Sequence, residues 1–436
     1  MARWRNWSRE QACNPVRIER PATPGELRSA LARAVGDGHR VRASASGHSF
    51  TDAALTDGVM VRLDRLTRMI DFDRSSGLFK VEAGIVLGEL NRLLDRHGVA
   101  FENLGDIDRQ TLAGSISTGT HGTGERFQNV SAQVEALEIV GADGELRTVG
   151  ASTPELLRAA RVGVGALGVV YSATVRTVPA YTLNRVDHPR PLSETLESLD
   201  ELAAASDHFE FYVFPHTDTA LCRDSQRTDE EPRPRSRARV YAQEVILENW
   251  VGGLFATAAR LRPSLAPRLA RIAARGTGRA TKVDRSYEVF ASERRIRFTE
   301  MEYGVPRARA REMVERVLEV ANRPELGVAF PIEVRFVKGD DSFLSPSFER
   351  DTAYIAVHQD RRLDWRTYFG AVERIARELD GRPHWGKRHF CKAADLAPVY
   401  PAWDDFQAAR RELDPTGAFT NAYTERVLGP VAAPPA

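Results

Sequence analysis

One histidine of this chain sits in a run of very small side chains. In Ser44-Ala45-Ser46-Gly47-His48-Ser49, directly after an apolar stretch, backbone N–H groups can approach an anionic ligand closely because no side chain stands in the way. An imidazole in such a loop can do chemistry on whatever the loop holds. A second small-residue loop, running Gly114-Ser115-Ile116-Ser117-Thr118-Gly119-Thr120-His121-Gly122-Thr123-Gly124, repeats the device. Two cradles in one chain suit a large ligand with a pyrophosphate in its middle.

Three further groups can carry chemistry. In Phe330-Pro331-Ile332-Glu333-Val334-Arg335-Phe336 the alternation puts Glu333 and Arg335 on one face of a strand and Ile332, Val334 and Phe336 on the other. A solvent-facing ion pair has the same pattern. The segment Ala353–Gln359 and the following Asp360 repeat it, with Tyr354, His358 and Asp360 on one face, so two polar strand faces can line a pocket for a polyhydroxylated substrate. His384-Trp385-Gly386-Lys387-Arg388-His389 collects two histidines and two cations round one glycine. No acidic or cysteine partner lies at ligand spacing, so no metal is expected; anion or oxyanion stabilisation and a basic surface turn are the alternatives. Gly163-Val164-Gly165-Ala166-Leu167-Gly168 matches the dinucleotide fingerprint, but a helix precedes it and a strand follows, the reverse of what that mechanism needs. It is expected to be a turn whose backbone, at Gly168 and Val169, can still touch a cofactor.

The elements that must hold these groups follow from caps and periodicity. Thr23-Pro24-Gly25-Glu26 starts a helix that Gly36 and Gly38 stop, and residues 40–43 form a strand entering the His48 loop. A strand is expected over 59–63, a hairpin over 69–81, a helix over 87–96 and a hairpin over 134–149. Thr153 caps a helix, and 169–178 is a strand. This is an α+β pattern. Beyond about residue 180 longer alternations appear at 210–214, 297–303, 328–337 and 353–359, with helices near 252–262, 307–321 and 364–379, as expected for a second domain on an antiparallel sheet. The charged segment 223–239 is predicted to be an exposed loop. The basic amphipathic stretch 254–274 either packs on its own sheet or touches a membrane surface.

With 436 residues the chain is long enough for two cores, and 42% hydrophobic with 28% charged residues is ordinary for a globular enzyme. A net charge of +1 argues against nucleic-acid binding. Cys13, Cys222 and Cys391 are too widely spaced for a disulfide framework or a metal site. The first residues lack the apolar core of a signal peptide, and no run approaches the roughly 20 apolar residues of a spanning helix. The expected setting is cytoplasmic, with peripheral membrane association open.

Taken together, Gly47-His48-Ser49, Thr120-His121-Gly122-Thr123-Gly124, Glu333-Val334-Arg335, His384-Trp385-Gly386-Lys387 and the closing Phe419-Thr420-Asn421-Ala422-Tyr423 resemble the aldonolactone oxidoreductases. These are the L-gulono-1,4-lactone and D-arabinono-1,4-lactone oxidases or dehydrogenases of the vanillyl-alcohol-oxidase flavoprotein superfamily, with alditol oxidases as near relatives. The resemblance implies a two-subdomain PCMH-type FAD-binding domain over residues 10–178. It also implies a substrate-binding cap with a helix-flanked antiparallel sheet over 179–400, and a C-terminal segment 401–436 returning towards the flavin. His48 matches the position where many members bond a histidine nitrogen to the flavin 8α-methyl carbon. By the same resemblance FAD lies against Ser44, Ala45, Ser46, Gly47, Ser49, Gly105, Gly114, Ser117, Thr118, Thr120, His121, Gly122, Gly168 and Val169.

The implied reaction is oxidation of a lactone C2 hydroxyl by hydride transfer to flavin N5, giving ascorbate or its five-carbon analogue. Glu333 and Arg335 match the pair that orients the reacting carbon, and Lys387 the cation beside the flavin. His358 and His384 belong to the expected substrate pocket. Gly105 stands where a small residue is associated with oxygen access, so O2 or another acceptor takes the electrons. Asp106 replaces the serine that alditol oxidases use, which favours a lactone over xylitol or sorbitol. An alditol oxidase and a non-catalytic flavin-binding protein are the rival readings; the intact Glu333, Arg335 and Lys387 set speaks against the latter.

Overall fold

The computed structural model describes residues 3–234, 257–258, 261–291 and 297–431. In the N-terminal half a parallel three-stranded sheet is made of β1 (Arg17–Glu19), β2 (Val41–Ser44) and β3 (Val59–Arg62), in the order β1-β3-β2. Helix α1 (Pro24–Gly36) crosses between β1 and β2. Thr23 Oγ1 accepts from the Glu26 N–H, and Leu27, Ala30, Leu31 and Ala34 supply its buried face.

A second, antiparallel sheet joins β4 (Met69–Asp73), β5 (Leu78–Glu82), β6 (Val134–Val140), β7 (Leu146–Val149) and β8 (Val169–Arg176) in the order β7-β6-β8-β5-β4. Helices α2 (Leu87–Arg96), α3 (Leu112–Ser117) and α4 (Pro154–Arg161) share its core. Thr153 precedes α4 as predicted, but its hydroxyl accepts from the Gly150 N–H and makes no cap bond to the helix.

The rest is organised on one eight-stranded antiparallel sheet: β9 (Thr182–Pro191), β10 (His208–Val213), β11 (Thr219–Thr228), β12 (Ala280–Arg285), β13 (Thr299–Pro306), β14 (Ile332–Val337), β15 (Thr352–Gln359) and β16 (Arg382–Pro383). Its order is β12-β9-β11-β10-β14-β15-β13-β16. Helices α5 (Ala266–Gly276), α6 (Ala310–Ala321) and α7 (Trp365–Glu378) accompany it; α6 and α7 bury one face of the sheet behind Phe209, Phe211, Met301, Val334, Phe336 and Ile355. The opposite face carries the polar partners of those apolar residues, because side chains alternate along each strand.

The predicted loop over 223–239 is corrected in its first part: β11 runs to Thr228, and Arg223 turns inward to Asp187 and Glu210. Residues 229–234 are irregular and largely exposed, and 235–239 lie outside the described residues. Of the expected helix near 252–262, most lies outside the described residues. Within the basic stretch 254–274, the described helix α5 buries Ala266, Ala270 and Ala274 and exposes Ile272. Residues 401–431 return to the N-terminal half, where Phe406, Leu413, Tyr423, Val427 and Leu428 enter the core that contains Phe79, Leu90 and Leu137.

Candidate active site

The strand β2 ends in the His48 loop, and the loop forms one wall of a cleft. Ser44, Ala45, Ser46, Gly47, His48, Ser49, Gly114, Ser117, Thr118, Gly165, Gly168 and Val170 line it, so the two small-residue loops and the Gly163–Gly168 turn face one space. The cradles touch: a Cβ on Gly114 would stand 2.9 Å from the Ala45 Cβ. Gly47 has φ +73°, and its Cβ position lies 3.3 Å from the Asn6 Cα, so conformation and space both demand glycine. The buried Ser46 Oγ has no hydrogen-bond partner among the described residues, which suits an acceptor-rich ligand such as a pyrophosphate. The residues present therefore fit FAD.

Arg42 ties this wall together. Its buried guanidinium donates to the carbonyls of Ala53, Val164, Gly165 and Phe419, from three separate parts of the chain. Asn421 adds bonds to the carbonyls of Ala53 and Leu55. The Val169 side chain is 1% exposed in the sheet core, while its neighbours Gly168 and Val170 line the cleft, so it is the backbone of this segment that borders the cofactor space. A strand residue and its neighbour point to opposite faces.

His48 stacks on Trp7 with ring centroids 5.6 Å apart. Desolvation, with Lys387 and Arg109 nearby, lowers its pKa to about 4, so the imidazole is neutral. The Phe50 N–H donates to the Gly386 carbonyl at 2.8 Å, which fastens the His48 loop to the His384–Lys387 turn. That turn delivers Lys387 to the polar face of the large sheet, where Nζ lies 2.5 Å from Glu300 Oε1. Burial opposes the ammonium, yet Glu300 and Glu302 outweigh it and raise its pKa.

Glu333 and Arg335 stand on that same face, both almost fully buried. Arg335 contacts Glu333, meets Glu210 Oε2 through Nε at 3.0 Å, and lies 3.3 Å from Asp106. Tyr212 donates to Glu333 Oε1 at 2.8 Å. Burial disfavours the guanidinium charge, but Glu333, Asp106 and Glu210 hold it well above its ordinary range. A solvated ion pair is excluded by this burial. His358 projects from β15 with Nε2 3.5 Å from Glu300 Oε1 and its ring edge-on to Phe298. Tyr354 shares the face, stacked on His121 at 3.6 Å and bonded to Ser347. Asp360, expected beside them, falls past the strand end, where its carboxylate caps the Arg362 N–H.

Gly105, Thr120, His121 and Gly122 do not line the large cleft but stand at the polar face. Gly105 packs against Thr120, and a Cβ on Gly122 would lie 2.2 Å from the Leu104 carbonyl oxygen. His121 meets the Gly122 carbonyl through Nδ1 at 2.9 Å and Glu302 through Nε2 at 3.1 Å. His384 accepts the Gly386 N–H at Nδ1 (3.0 Å), and burial lowers its pKa to about 3, so the neutral ring keeps a donor at Nε2. The expectation that the His384–His389 turn lacks an acidic partner is corrected at His384, because ligand atoms of His384, His121 and Glu302 lie within 4.8 Å of one another. The hydrogen bonds already engage Nδ1 of both rings. Glu300, Glu302, Glu210 and Tyr212 were not singled out in the sequence, although Glu300 and Glu302 alternate on β13 as Glu333 and Arg335 do on β14.

Residues 173–427 match the D-arabinono-1,4-lactone oxidase family and residues 15–150 an FAD-binding domain. The chain belongs to the D-arabinono-1,4-lactone oxidase family. Members of it and their kin align nearly end to end. The L-gulono-1,4-lactone dehydrogenase of Mycobacterium tuberculosis is 48% identical, covering 98% of this chain and 99% of the relative. The bovine L-gulonolactone oxidase is 34% identical over 98% of both chains. A Streptomyces alditol oxidase is 30% identical over 97% of this chain and 98% of its own. A cholesterol oxidase from Brevibacterium sterolicum superposes with a TM-score of 0.81 at 17% identity, covering 98% of this chain and 96% of that one, a likeness of fold alone. The chain is an FAD-dependent oxidoreductase.

Proposed function

We propose that this enzyme oxidises the C2 hydroxyl of a sugar-acid 1,4-lactone, L-gulono-1,4-lactone or D-arabinono-1,4-lactone, giving ascorbate or its five-carbon analogue. The observation that carries this reading is the buried polar face that Glu333 and Arg335 share with Glu300, the carboxylate that holds Lys387. FAD, when bound, would supply the acceptor for the carbinol hydride. The Ser44–Ser49 loop, Gly114, Ser117, Thr118 and Gly168 would hold it, and His48 would be its tether through the 8α-methyl carbon.

Glu333 and Arg335 bind and orient the reacting carbon, and the fixed partners of Arg335 keep that cation in place without reorganisation during the reaction. Lys387, held ionised by Glu300, supplies positive charge where negative charge develops. His384 offers a donor, while Asp106 and His358 contact substrate hydroxyls. Electrons leave to O2 or another acceptor past Gly105. No helix among the described residues is long and apolar enough to cross a membrane; a cytoplasmic enzyme, with at most peripheral membrane contact, is the setting proposed.

The alditol oxidase relative supports a second reading, in which a polyol such as xylitol is the substrate. Asp106 weighs against it, because it stands where the alditol oxidases use a serine on their open-chain polyols. Turnover of L-gulono-1,4-lactone and of xylitol with an artificial acceptor separates the two. The lactone should win on kcat/KM, and preference for xylitol would sink the lactone assignment.

A further inference from the structure

Behind Arg335, away from the large cleft, lies a small cavity, with room for about one water, bounded by Asp106, Thr123, Arg185, Arg223, Ser225, Phe290 and His208. His208 is 1% exposed. Its ring stacks on Phe127 at 4.5 Å and meets Phe290 edge-on at 4.8 Å, so it cannot turn freely. Nδ1 faces the Thr123 carbonyl at 2.8 Å and therefore carries the proton. That leaves Nε2 as a bare lone pair, and this buried atom has no partner among the described residues. An acceptor in so dry a place is a standing demand for a donor.

We propose that a hydroxyl carried by the carbons outside the lactone ring enters this cavity, and that His208 Nε2 accepts a hydrogen bond from it. The proposal rests on the lactone reading above and deepens it. The other walls select the same chemistry. Arg223 is engaged by Asp187 and Glu210, Arg335 by Glu210 and Asp106, and Arg185 by Asp187 and the Val289 carbonyl, so each arginine of the cavity already has a carboxylate. A carboxylate would meet the lone pair of His208 and the acidic partners of these three arginines. An alkyl group would leave Nε2 unpaired. A neutral O–H satisfies it. Burial keeps the ring unprotonated, with its pKa lowered to about 4, so the acceptor persists at neutral pH.

Three ligands and two variants test this. L-gulono-1,4-lactone has two carbons outside the ring, D-arabinono-1,4-lactone one, and D-erythrono-1,4-lactone none. Dissociation constants by calorimetry and kcat/KM should favour the ligands with a tail in the wild-type holoenzyme. His208→Phe keeps the ring stack and removes the acceptor; it should weaken both tailed lactones about 10- to 100-fold and leave the erythrono compound unchanged. His208→Gln restores an acceptor and should recover most of the loss. Equal affinity for tailed and tailless lactones in the wild type, or parallel losses for both in His208→Phe, would overturn the subsite. If the enzyme binds tailed lactones selectively yet oxidises none, the proposed function fails while the subsite stands on the binding data.

Discussion

Burial moves two basic side chains of this site in opposite directions. His48 is left neutral, with its pKa lowered to about 4 by desolvation and by the charges of Lys387 and Arg109. Lys387 is just as enclosed, but Glu300 at 2.5 Å keeps it an ammonium. A neutral imidazole is a nucleophile and a paired ammonium is a fixed charge, so the two are suited to different tasks. If His48 is the tether, acid precipitation of the wild type should leave its yellow colour in the pellet, and His48→Ala should release the colour to the supernatant. A colourless wild-type pellet would remove the tether. At this scale the sequence was informative for His48, Glu333, Arg335 and Lys387, because small-residue loops and strand alternation single them out. It was silent on Glu300, Glu302, Glu210 and Tyr212: on an alternating strand a buried carboxylate and a solvated one read alike.

The elements were legible where one side of each strand or helix is apolar, as in α1, β5 and β14. Their ends differed by a few residues, since hydrogen bonding rather than side-chain pattern decides where a strand stops. Strands β9 and β11 were missed because both faces carry charge, and Arg223 of β11 finds Asp187 of β9 only across the sheet. The joint that matters most to the cleft is Arg42 on β2. Replacing it by Met would strip four buried carbonyls of their donor. Arg42→Met should lower the unfolding free energy by about 3 kcal/mol or more, measured by chemical denaturation, and should purify with less FAD. Unchanged stability and flavin content would show that the clamp is idle.

Across the whole molecule, the two halves meet along polar seams. The Gly124 N–H donates to the Phe336 carbonyl at 2.7 Å, and Asn129 of the N-terminal half donates to Asp340 Oδ2 at 2.8 Å. Ser345 and the Ser342 N–H also donate to that carboxylate. Burial still raises its pKa to about 6, and these bonds only moderate the shift. The folded chain therefore holds this proton more tightly than the unfolded chain, and the contribution of Asp340 to stability falls as pH rises from about 4 to about 6. Asp340→Asn lacks the titration. Its unfolding free energy relative to wild type should drift by up to about 3 kcal/mol in its favour between pH 4 and pH 7, and a flat difference would refute the assignment. The central claim concerns chemistry at the seam, and anaerobic mixing with L-gulono-1,4-lactone tests it most directly. The wild-type flavin absorbance should bleach, and Glu333→Ala with equal FAD content should bleach at least about 100-fold more slowly. Equal rates in the two proteins, or no bleaching in the wild type, would contradict the account.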